Sequence, residues 1–199
     1  MSRYAANLLT ISRFLMAIVF FVLLGLFDPK SERAWMLLDA ATALFILAGV
    51  TDVIDGHLAR TMGSVSQFGR VADPFVDKII VCGAMIYFVA PPLAPVSGWH
   101  TWMVVAIIAR ELLVTGMRST SESQGVAFTA TWAGKLKMLL QCVAIVWSLV
   151  HASHWTALAP GAWQTVGRDI AIYIATFFTA ASALVYIDRA LRLLKGTPA

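Results

Sequence analysis

The sequence predicts an all-α integral membrane protein with six transmembrane helices, and three observations carry that prediction. Of its 199 residues, 59% are hydrophobic and only 13% are charged, whereas soluble domains carry about 25% charged residues. The mean hydropathy is +0.78. Apolar runs fall at about 8–27, 34–58, 72–91, 99–120, 132–152 and 165–190, each close to the roughly 20 apolar residues that a spanning helix needs. One membrane-embedded domain over residues 1–199 follows, with no room for a sizeable soluble one.

Each run has recognisable limits. The first starts within Met1 to Thr10, a segment that lacks the pattern of a cleaved signal, and it continues too far for one, so this segment is expected to be retained. Asp28-Pro29-Lys30 separates the first two runs, Pro91-Pro92-Leu93-Ala94-Pro95 the third and fourth, and Ala159-Pro160-Gly161 the last two. All three are helix breakers. They alternate with breaks near 60–70 and 120–131, which places the two sets on opposite sides of a membrane. Of the fifteen Lys and Arg, Lys30, Arg33 and Arg168 lie on the proline-rich side, while Arg3, Arg60, Arg70, Arg118, Arg189, Arg192 and Lys195 lie on or near the other. Short loops rich in Lys and Arg stay cytoplasmic. Both termini and the 60–70 break are therefore expected to face the cytoplasm, in a multi-pass protein of the cell (inner) membrane.

A net charge of +4 spread along helix ends suits anionic lipid headgroups better than nucleic acid. Cys82 and Cys142 fall within spans and read as small packing residues. His151 and His154, beside Trp155, read as an interfacial anchor.

Four aspartates, Asp52, Asp55, Asp73 and Asp77, stand within 26 residues of this apolar chain. Each carboxylate near bilayer depth costs at least roughly 2.5 to 3.5 kcal/mol without compensation. Cations must sit among them. Asp52 and Asp55 are three apart and Asp73 and Asp77 four apart, so each pair shares one face of its helix. Hard oxygen donors without Cys or His point to magnesium, manganese or calcium, and paired divalent ions characteristically handle phosphate oxygens.

The residues between the pairs narrow the reading. Gly56 and Ala59 allow a ligand close to the backbone, and Arg60 supplies a guanidinium fork suited to phosphate. Gly63, Ser64 and Ser66 form the expected turn, and Gly69 opens the next helix. Any one glycine is equally well explained by close helix packing.

Written as Asp52, Asp55-Gly56, Ala59-Arg60, Gly69, Asp73 and Asp77, with two, two, eight, three and three residues between the groups, the stretch resembles the signature of the CDP-alcohol phosphotransferase family at every defined position. The resemblance implies the six-helix fold of that family, usually a homodimer, which binds a CDP-linked lipid with two divalent cations, Mg2+ or Mn2+, and exchanges CMP for an alcohol. It implies metal ligation by Asp52, Asp55, Asp73 and Asp77, general-base action by Asp77, and contacts to the CDP-lipid from Gly56, Ala59, Arg60 and Ser66.

The acceptor alcohol is a separate question. Arg110-Glu111, Arg118 and Gly134-Lys135-Leu136-Lys137 bring charge into the apolar runs. For Arg118 and Lys137, facing an interior anion and snorkelling to headgroups are open alternatives. For Arg110, an ion pair with Glu111 or a neighbouring helix is a third. The segments Asn7 to Arg13, Ala109 to Arg118 and Gly134 to Lys137 are similar to the branch of the family that transfers a phosphatidyl group from CDP-diacylglycerol to glycerol 3-phosphate. That similarity implies acceptor-phosphate binding by Arg110, Arg118, Lys135 and Lys137. Inositol phosphate, serine or phosphatidylglycerol are alternative acceptors for the same chemistry. A membrane prenyltransferase normally has its two aspartate motifs far apart in sequence, and a cation transporter has no need of the Gly56, Ala59 and Arg60 grouping.

Overall fold

In the computed structural model, residues 3–62, 67–123, 132–159 and 161–194 are described, without side chains at 3–10, 52–62, 67–74, 77, 118–123, 133 and 185–194. Those residues form seven helices and no strands: α1 (Arg3–Gly25), α2 (Ala34–Met62), α3 (Gln67–Val89), α4 (Ala94–Ser97), α5 (Thr101–Ser123), α6 (Trp132–His154) and α7 (Trp163–Leu194). The six long helices correspond to the six apolar runs. Their polar ends extend further than the runs do, because a helix continues wherever its backbone bonds close, while hydropathy registers only the apolar part. Thus α2 reaches Met62 and α3 starts at Gln67, so Gly69 lies inside α3 rather than opening it.

Helix α4 is a short insertion in the proline-rich connection. Pro95 fits its first turn, where no backbone donor is needed, and Gly98 ends it at φ +79°, a left-handed conformation that favours glycine.

The buried positions of α1, Arg13, Ala17, Phe20 and Leu24, recur at spacings of three and four, the stripe of a helix packed on one side. Leu38, Ala41, Phe45 and Ala48 do the same on α2, and Val81, Ala84 and Phe88 on α3. Helices α2 and α3 both pack against α1 and α6, while α7 packs against α5 and α6. Trp99 ties the start of α5 to α6 by donating its indole N–H to Ser148 Oγ at 2.9 Å.

The outer faces are apolar as well. Leu15, Val22, Leu47, Trp102, Leu139 and Phe177 are examples of large exposed hydrophobic side chains on five of the helices, far more than a water-facing surface tolerates in one piece. Two segments, Ala34–Thr51 and Gly134–His154, are long and apolar enough to cross a membrane, with shorter apolar stretches at Ile11–Gly25 and Lys78–Val89.

Candidate active site

Two groups of candidate residues lie toward the same ends of the long helices. Asp52, Asp55, Gly56, Ala59 and Arg60 fall in α2, and Asp73 and Asp77 fall in α3. Their side chains, like that of Arg118, lie outside the described ones, and Ser66 lies outside the described residues altogether. The backbone nonetheless places both aspartate pairs. Asp52 and Asp55 continue the spacing of the buried stripe Ala41, Phe45 and Ala48 along α2. A small cavity of about 30 Å³ is lined by Ala48 and Gly49 of α2, Val76 and Ile80 of α3, Arg13 of α1 and Met138 of α6. Gly49 is one turn before Asp52 and Val76 immediately precedes Asp77, so the helix segments that carry the aspartates converge on one place.

Among the described residues no group of three or more His, Cys, Asp or Glu could hold a metal ion, and the four aspartate side chains lie outside that set. Their chemistry fits a hard divalent cation, since carboxylate oxygens from two converging helices supply oxygen donors without sulfur or nitrogen.

The second group is a buried polar network joining α5, α6 and α7. Glu111, 6% exposed, accepts at Oε1 from Arg110 Nη1 at 3.2 Å and from Lys137 Nζ. Arg110 Nε also donates to Ser182 Oγ at 3.1 Å, and Ser182 Oγ donates to the Thr179 carbonyl at 2.7 Å. One turn beyond Lys137, Gln141 Nε2 donates to Thr179 Oγ1 at 3.0 Å. Lys78, next to Asp77, lies within electrostatic reach of Lys137 and Cys82. The network therefore adjoins the helix that carries Asp73 and Asp77.

Of the alternatives open for the basic residues, Arg110 takes the ion pair with Glu111, and Lys137 faces the interior. Lys135, two residues earlier on α6, is on nearly the opposite face. It is exposed and lines an apolar groove of about 920 Å³ between α2 and α6 that ends at Trp155 and Trp163. The structure thus brings Arg110 and Lys137 together and sets Lys135 apart from them. Glu111, Thr179, Ser182 and Arg13 escaped the sequence reading as site residues. For Glu111 and Arg13 a signal existed, since a charge within an apolar run raises the same energetic question as the aspartates.

At the other end of the molecule, His154 Nε2 bonds both carboxylate oxygens of Asp39 at 2.9 and 3.1 Å, and His151 Nε2 bonds Thr165 Oγ1 at 3.1 Å. These histidines anchor helix ends. Cys82 and Cys142 are not joined in a disulfide.

A family model for the CDP-alcohol phosphatidyltransferases matches residues 3–181. The chain belongs to that family. Several of its CDP-alcohol phosphatidyltransferase relatives align over most of their length. The CDP-diacylglycerol–glycerol-3-phosphate 3-phosphatidyltransferase of Bacillus subtilis is 32% identical over 196 residues, 95% of this chain and 96% of its own. A probable phosphatidylglycerophosphate synthase of Mycobacterium tuberculosis is 34% identical over 194 residues, 96% of this chain and 83% of its own. The CDP-diacylglycerol–glycerol-3-phosphate 3-phosphatidyltransferase of Escherichia coli is 31% identical over 157 residues, 76% of this chain and 78% of its own. The matched CDP-alcohol phosphatidyltransferase region takes in both the aspartate signature and the Arg110–Glu111–Lys137 network.

Proposed function

We propose that this enzyme transfers a phosphatidyl group from CDP-diacylglycerol to sn-glycerol 3-phosphate, giving phosphatidylglycerol phosphate and CMP, as a step of phospholipid biosynthesis. The observation that carries the reading is the buried meeting of Arg110 and Lys137 on Glu111 beside the aspartate-bearing helix α3. Two cationic donors there suit an acceptor that carries a phosphate of its own. Serine and phosphatidylglycerol offer no such dianionic group, and the names of the relatives support the glycerol 3-phosphate choice.

Asp52, Asp55, Asp73 and Asp77 would hold two divalent cations, Mg2+ or Mn2+, whose chemistry when bound is to neutralise the diphosphate and the charge on departing CMP. Gly56 and Ala59 leave room for the nucleotide against α2, with Arg60 and Ser66 toward its phosphates. Asp77 acts as general base: it takes the proton of the acceptor hydroxyl as that oxygen bonds to the lipid-side phosphorus. The bond from that phosphorus to the CMP oxygen breaks in the same displacement. Arg110 and Lys137, with Arg118 at the end of the same helix, hold the phosphate of glycerol 3-phosphate, and Lys135 stands at the mouth of the α2–α6 groove.

The groove supports a lipid donor. From Lys135 to Trp155 it follows α6 for roughly 30 Å, about the thickness of a hydrocarbon core, and its walls are almost wholly apolar. The same proposal includes six spanning helices, a homodimer, and an active site and both termini on the cytoplasmic face of the cell membrane. Labelled glycerol 3-phosphate supplied to the purified protein with CDP-diacylglycerol and Mg2+ tests the reaction. One CMP released for each acceptor entering the lipid phase is expected, and CMP release without incorporation of label would refute it.

A further inference from the structure

We infer that Glu111 is a positioning residue of the acceptor subsite: its buried carboxylate holds Arg110 of α5 and Lys137 of α6 together so that both meet one phosphate. The inference rests on the assignment of these two cations to the acceptor phosphate.

The geometry sets Glu111 apart from an ordinary helix staple. Staples need one cation, and a second cation on the same oxygen repels the first. Here Oε1 accepts from both Arg110 and Lys137, and all three residues are at most 7% exposed. A buried ionic group of this kind is a poor device for stability, because apolar replacements are often as stable or more so. Gathering two cationic donors at one point has a use when a dianion arrives there.

The surrounding bonds aim the donors. Arg110 is held on two sides, by Glu111 through Nη1 and by Ser182 through Nε at 3.1 Å. Ser182 spends its own proton on the Thr179 carbonyl at 2.7 Å, so its oxygen is turned to receive from Arg110. The guanidinium plane is thereby fixed. Lys137 carries a flexible stem that can extend toward headgroups, and Glu111 is what retains its ammonium inside. Just beyond it, the bond from Gln141 to Thr179 at 3.0 Å locks α6 to α7, so the backbone that presents Lys137 cannot drift from the one that presents Ser182.

The test is steady-state kinetics of the purified full chain in phospholipid nanodiscs with Mg2+, CDP-diacylglycerol and glycerol 3-phosphate. Glu111→Gln is expected to raise KM for glycerol 3-phosphate about tenfold or more, the low end of what one hydrogen bond to a charged group is worth, with the loss on that KM rather than on kcat or on KM for CDP-diacylglycerol. Added to Lys137→Met, it should raise KM by a smaller factor than it does alone, because only Arg110 is left for it to position. An unchanged or lowered KM in Glu111→Gln, or full multiplication of the two effects, would overturn the inference. If Glu111→Gln does not accumulate, Glu111→Asp keeps the charge but is one methylene too short to reach both cations. The same KM-specific rise is expected from it, and a KM equal to wild type overturns the inference. Failure of the underlying assignment reads differently: Arg110→Gln and Lys137→Met would then both leave KM for glycerol 3-phosphate unchanged.

Discussion

A methyl group at Gly98 would lie 2.6 Å from Nε of Arg168. The two residues mark where the connection after α4 closes on α7. Arg168, 8% exposed, donates through Nη1 to the Val96 carbonyl at 2.9 Å and to His151 Nδ1 at 3.1 Å, and through Nε and Nη2 to Asp169 Oδ1 at 2.9 and 2.7 Å. Because arginine only donates, His151 accepts at Nδ1, so its Nε2 carries the proton and donates to Thr165. Gly98→Ala meets both the positive φ and the guanidinium. It is expected to cost about 1 to 3 kcal/mol, read as a lower midpoint of thermal unfolding in detergent, with transfer activity per folded molecule retained.

Gly167 of α7 makes a similar approach to Trp147 of α6, where an added methyl would lie 2.5 Å from the indole ring. The ring is pinned, since Trp147 Nε1 donates to the Gln164 carbonyl at 3.1 Å. Small residues at such crossings let helices pack closely in lipid. Gly167→Ala should therefore destabilise by about 1 to 3 kcal/mol through overpacking. A thermal midpoint equal to wild type would show that Trp147 yields.

The long helices could be read from hydropathy because each is a nearly continuous apolar run. Helix α4 could not, since four residues among prolines carry no periodicity. The aspartate signature was legible because its spacing lies within one stretch of chain. The partnership of Glu111 with Lys137 spans 26 residues and two helices, so only packing reveals it. Adjacency along the chain gave Arg110 its pair with Glu111 as one of several options, yet it could not separate Lys135 from Lys137, whose environments differ by nearly half a turn of α6. Arg168 read as an ordinary loop-side basic residue, and the three groups it gathers, from Val96, His151 and Asp169, come from α4, α6 and α7.

Asp77 is assigned the proton transfer. Asp77→Asn keeps shape and loses basicity, so the transfer rate should fall by roughly 100- to 10,000-fold while CDP-diacylglycerol still binds. Near wild-type turnover of this variant, measured as CMP release at saturating substrates, would remove the base from Asp77.

Metal dependence is the expected consequence of the cation ligation proposed for the four carboxylates. Treatment with a chelator should abolish CMP release, and Mg2+ or Mn2+ should restore it. Asp52→Asn and Asp73→Asn should each raise the Mg2+ concentration needed for half-maximal rate, because each removes one hard oxygen ligand. A rate indifferent to chelation would contradict the two-cation arrangement.

Acceptor-dependent release of CMP from CDP-diacylglycerol probes the aspartate site and the Arg110–Glu111–Lys137 network together. The purified protein in nanodiscs with Mg2+ is offered glycerol 3-phosphate, inositol phosphate, serine and phosphatidylglycerol in parallel. Release should be fast with glycerol 3-phosphate and near background with the other three. Release driven by one of those three, with glycerol 3-phosphate inert, would contradict the assignment.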